Sequence, residues 1–185
     1  MRKLRIIYED KWLVVIEKPS GLLSVGHPTA NEENAWHLVG EYLKSKNYRD
    51  NAYVCHRLDK FTSGILMFSK SEEIQHQLRD NWNDYVLDRR YVAVTEVVPN
   101  PKKAEIRSYL TENSAMFVHS TQNTEIGKLA ITRFKVIAEN KNMALLDVQI
   151  LTGRKNQIRV HLSEHGWPIA GDKKYGEKTS PENRL

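Results

Sequence analysis

The sequence predicts an α+β fold: a bent, mixed, mostly antiparallel sheet with flanking helices. Three observations lead there. Short apolar and β-branched runs recur along the chain, each bounded by turn residues. Helical spacing occurs in only three stretches, around Ala35, Ile74 and Ile158. The runs Lys128–Ile137 and Met143–Leu151 are joined by Glu139-Asn140-Lys141-Asn142, a hairpin turn that makes its two strands antiparallel.

Leu4–Tyr8 and Trp12–Ile16 read as two strands split by the turn Glu9-Asp10-Lys11. Lys18-Pro19-Ser20-Gly21 is a strong turn signal. Asn31 is expected to cap a helix with Glu32 and Glu33 in its first turn, and Ala35, Leu38, Val39, Tyr42 and Leu43 form its apolar face. Ser71 caps a second helix, with Ile74, Leu78, Trp82, Tyr85 and Val86 inward and Gln75, Arg79, Asp80 and Asn83 on the wet side. Arg89–Val94 and Ala104–Leu110 are strands, and Thr111–Gly127 is polar and least defined. A last helix carries Ile158, Leu162 and His165 on one side and stops at Gly166. Arg154, Lys155 and Arg159 near its start make it an anion-facing element.

Length and composition narrow the classes. With 185 residues, 40% hydrophobic and 28% charged, the chain is long enough for one globular domain, Met1–Leu185. The net charge of +5 suits a polyanionic partner such as RNA or DNA. Cys55 is the single cysteine, which excludes an internal disulfide and a cysteine metal site. Cys55 itself reads as a small buried hydrophobe. No apolar run approaches a membrane span, and Glu9 and Asp10 interrupt any signal-peptide core, so the expected compartment is the cytoplasm.

The stretch that carries chemistry is Cys55-His56-Arg57-Leu58-Asp59-Lys60-Phe61-Thr62-Ser63-Gly64-Ile65-Leu66-Met67-Phe68-Ser69-Lys70. His56, Arg57 and Asp59 meet in a loop that runs directly into an apolar strand. A carboxylate on a rigid strand end meets the condition for a catalytic group. His-Arg beside Asp equally fits a surface ion pair, so spacing alone leaves the loop's role open.

The string as a whole resembles the central motif of the RluA-type RNA pseudouridine synthases. A basic residue followed by Tyr91-Val92-Ala93 resembles the second motif, and Thr152-Gly153-Arg154-Lys155-Asn156-Gln157-Ile158-Arg159-Val160-His161 the third. Lys18-Pro19-Ser20-Gly21 and the run Trp167–Gly176 match flanking segments. The resemblance implies uridine isomerisation with Asp59 as the catalytic residue and Tyr91 stacking on the target base. It also implies that Arg159 meets Asp59. Ile158 is expected to contact the base from the other side, and Arg57 to fill the gap left by a flipped nucleotide. Lys18, Lys60 and Arg154 are weaker candidates for phosphate contacts.

No cofactor and no metal are expected, and the implied partner is ribosomal or transfer RNA bound by a monomer, with no membrane. No separate RNA-binding module is expected ahead of Met1, and the chain ends before strands that usually follow in the family. Asn156 stands where family members usually carry His, so proton handling there is not expected. Two other classes remain: a synthase-like RNA binder without activity, and an N-glycosidase that uses Asp59 to release free uracil.

Overall fold

In the computed structural model, which describes residues 4–26, 32–46 and 51–176, the chain forms two units, Met1–Leu87 and Asp88–Leu185. The first carries strands β1 (Arg5–Glu9), β2 (Leu13–Lys18), β3 (Tyr53–Val54) and β4 (Gly64–Ser69) in the order β1-β2-β4-β3. All three pairings are antiparallel. Alternation explains β2: Val14, Ile16 and Lys18 are buried, while the residues between them are not. Asp10 shapes the β1–β2 turn, its Oδ1 accepting the Trp12 and Leu13 amides, both at 2.7 Å.

Helix α1 spans Ala35–Ser45 and buries Ala35, Leu38, Val39 and Leu43, the expected face. Its cap is Asn34, whose Oδ1 accepts the His37 amide at 3.0 Å. Asn31 lies outside the described residues, and Glu32 and Glu33 precede the helix. Tyr42 and Lys46 reach Glu9 Oε2 at 2.6 and 3.0 Å, and Lys70 reaches Glu9 Oε1 at 2.9 Å. Burial pushes the Glu9 carboxyl up, but these partners prevail and hold it down at about 2.

Ser71 caps α2 (Glu72–Asp80) as expected. The apolar stripe does not continue as one helix: Asn81 separates α2 from the single turn α3 (Trp82–Tyr85). Tyr85 is exposed, contrary to the inward assignment. Gln75, assigned to the wet side, is half-buried and donates to Val54 O at 3.0 Å.

The second unit has strands β5 (Arg90–Thr95), β6 (Lys103–Glu112), β7 (Val118–Thr121), β8 (Lys128–Glu139) and β9 (Ala144–Ile150), ordered β5-β9-β8-β6-β7 and antiparallel throughout. The α+β class with antiparallel pairing therefore holds, with the strands shared between two sheets. The segment expected to be least defined contains β7. Asn140 closes the β8–β9 hairpin, its Oδ1 accepting the Asn142 and Met143 amides at 2.9 and 2.8 Å. Helix α4 (Gln157–Glu164) sends Leu162 into a core with Ala93, Ile106, Phe134, Leu146 and Val148. Among the described residues no helix is long and apolar enough to cross a membrane.

Candidate functional site

In the first unit Asp59 is half-buried at the head of the loop that enters β4. The backbone around it is strapped by the segment after β2. Ser24 Oγ donates to Leu58 O at 2.8 Å and accepts the Leu58 amide at 3.0 Å. Ser20 Oγ donates to Phe61 O at 2.7 Å, and Gly21 N to Lys60 O at 2.9 Å. Gly21 adopts φ 83°, a left-handed conformation that a side chain would strain, and this turn aims its amide at Lys60. Thr62 N closes a turn on Asp59 O at 3.1 Å. His56 Nε2 accepts the Met67 amide at 3.2 Å, and its ring lies 5.4 Å from that of Trp82.

Lys18 takes a different part from the expected one. Its side chain is 0% exposed, and Nζ donates to Pro19 O, Leu22 O and Lys60 O at 3.1, 2.7 and 3.0 Å. An ammonium whose three N–H groups end on carbonyls does not reach a phosphate. Burial pulls Lys18 down to about 8, opposed by the charge of Asp59. The Lys60 ammonium pairs with Glu32 at the surface, and the Lys60 carbonyl receives the strap. Arg57 is exposed. Burial pushes the Cys55 thiol up to about 11, which suppresses the nucleophilic thiolate.

In the second unit Tyr91 and Ile158 are both half-buried and pack against the same apolar cluster. Tyr91 lies opposite Val148 on β5. Its neighbour Arg90 is bound to Asp147 on β9. Arg154 is exposed, with Nε donating to Leu129 O at 2.9 Å. The anion-facing reading of the α4 start is narrowed, since Lys155 pairs with Glu112 and Arg159 with Asp172.

The rest of the third motif is a polar latch. Gln157 Oε1 accepts from Thr152 Oγ1 and Arg154 N at 2.8 and 3.0 Å. Its Nε2 donates to Ile131 O and Thr132 Oγ1 at 3.0 and 2.9 Å. His161 is fully buried, with Nδ1 2.9 Å from Thr132 Oγ1 and Nε2 3.0 Å from Ser108 Oγ. Burial lowers its pKa to about 4.

Sequence reasoning missed Ser24, Asp172 and Tyr175. Ser24 carries no local signal. The other two lie in the matched run Trp167–Gly176, where an Asp two and three residues before the amides of Lys174 and Tyr175 signals an Asx turn.

Residues 12–164 match the family model described as RNA pseudouridylate synthase. The chain belongs to this family. An uncharacterised RNA pseudouridine synthase of Mycoplasma genitalium is 37% identical over 182 residues, covering 98% of this chain and 58% of that protein. The ribosomal large subunit pseudouridine synthase C of Rickettsia felis is 35% identical over 176 residues, covering 94% and 56%. The chain thus spans a little over half the length of these curated relatives. The solved structure of human RNA pseudouridylate synthase domain containing 4 aligns with a TM-score of 0.78 at 27% identity, over 95% of this chain and 70% of that one.

Proposed function

We propose that this chain isomerises uridine to pseudouridine in RNA, with Asp59 as its catalytic residue. The N1–C1′ bond of the nucleotide breaks, the base turns, and a C5–C1′ bond forms. The proton on C5 leaves and N1 gains one, so nothing is oxidised or imported. Asp59 serves either as nucleophile at C1′ or as base toward a ribose proton. The observation that supports this reading is the strapped loop. Bonds from Lys18, Ser20, Gly21 and Ser24 to residues 58, 60 and 61 immobilise the backbone on both sides of Asp59, which is the preorganisation a catalytic carboxylate needs.

Tyr91 stacks on the uracil and Ile158 supplies apolar contact. Arg159 supplies a guanidinium for the reaction, and Arg57 and Arg154 contact the RNA strand. A base inside a helix does not reach a half-buried carboxylate, so the nucleotide is flipped out. The proposed target is ribosomal RNA of the large subunit, in keeping with the names of the Rickettsia relatives.

The test uses RNA carrying tritium at uridine C5. Asp59→Ala is expected to abolish tritium release while RNA binding persists; continued release refutes the assignment. Free uracil in the wild-type reaction favours the glycosidase reading instead. Pseudouridine mapping in ribosomal and transfer RNA, with and without the gene, identifies the target.

A further inference from the structure

Arg159 is caged by residues that lie in a different part of the chain from the strapped loop. Its Nε and Nη2 donate to Asp172 Oδ2 and Oδ1 at 2.7 and 2.8 Å, and Nη1 donates to Asn156 Oδ1 at 2.9 Å. The Tyr175 ring centre is 4.9 Å from the guanidinium carbon. The cage is itself fixed. Asp172 Oδ1 also accepts the Lys174 and Tyr175 amides at 3.0 and 3.2 Å. Asn156 Nδ2 donates to Tyr175 Oη at 3.0 Å, which in turn accepts the Val118 amide at 3.0 Å.

Holding such a group is costly as a means of stability alone. Asp172 is 2% exposed, and a carboxylate taken out of water regains its solvation only through close, well-aligned partners. Asn156 adds strain, with φ 54° in the left-handed region. What this arrangement supplies is orientation: a two-point grip sets the plane of a guanidinium, and a third bond sets its rotation.

We infer that Asp172 and Asn156 are positioning residues that hold the Arg159 guanidinium in the one orientation its task requires. Asp172 lies beyond residues 12–164, the part that the family model matches. The inference rests on the proposed role of Arg159 in pseudouridine formation.

Asp172→Asn keeps shape and removes charge, and the test places it in two backgrounds. In the otherwise wild-type chain, kcat for tritium release is expected to fall roughly 10–100-fold with KM nearly unchanged. In the Arg159→Ala chain the same change is expected to cost almost nothing, because Asp172 acts through the side chain already removed. An equal loss in both backgrounds, or no loss in the first, overturns the inference. A nitrogen-15 measurement of the Arg159 Nε–H is independent of turnover. Slow solvent exchange in the wild type and fast exchange in Asp172→Asn support the cage; fast exchange in the wild type overturns it. A wild-type chain that releases no tritium refutes the functional reading, and the exchange measurement still decides the cage. If Asp172→Asn does not fold, Asn156→Gly takes its place, since it removes one bond to Arg159 and relieves the backbone strain.

Discussion

The ammonium of Lys18 donates to the carbonyl oxygen of Lys60 at 3.0 Å, tying the end of β2 to the residue that follows Asp59. Lys18→Met keeps the length of the side chain and leaves the carbonyls of Leu22 and Lys60 without this donor. The expected loss is about 1–3 kcal/mol of stability, the cost of stranding the buried Leu22 carbonyl, since the Lys60 carbonyl keeps the Gly21 amide. Urea unfolding measures it, and tritium release is expected to fall along with it.

Ser24 makes the second tie, bonding both the N–H and the C=O of Leu58. Ser24→Ala removes both bonds at once. A similar loss of about 1–3 kcal/mol is expected, with faster amide exchange at Leu58. Unchanged exchange there means that Ser24 does not restrain the loop.

Tyr91 is expected to contribute through its ring. Tyr91→Ala weakens binding of a uridine-containing RNA by about 1–3 kcal/mol, the usual worth of one stacked base. Tyr91→Phe retains that affinity. The turnover of the Phe variant reports separately on the phenol proton: a large fall in kcat at unchanged affinity assigns it a part in the chemistry.

His161 makes stability depend on pH. Burial holds its folded pKa at about 4, below the ordinary 6.5. Between these values the unfolded chain binds the proton and the folded chain does not, so stability falls as pH drops from 6.5 toward 4. At pH 5 the loss from this residue is about 2 kcal/mol. His161→Gln, which cannot take up that proton, is expected to flatten the decline over this window. Melting curves of the two proteins at pH 7 and pH 5 decide it.

Much of the secondary structure was legible because it follows from period and punctuation. The apolar run Trp12–Ile16, the cap at Ser71 and the hairpin at Asn140 are set by residues within a few positions of one another. Asn31 and Asn34 stand close together before α1, and only the fold selects Asn34 as its cap. The break at Asn81 was hidden for a related reason, since the apolar spacing continues across it.

By itself the sequence determined the α+β class, the three motifs, and the residues able to handle charge or stack on a base. Tertiary structure decided what each of them touches. Ser24 and Leu58 are 34 positions apart, Lys18 and Lys60 are 42, and Arg159 and Asp172 are 13. A lysine on a loop reads as solvated until a strand carries it inside, and a guanidinium has no set orientation until a buried carboxylate takes its fork. Burial and partner choice belong to the packed chain, because desolvation depends on everything that surrounds a group and local sequence describes only its immediate neighbours.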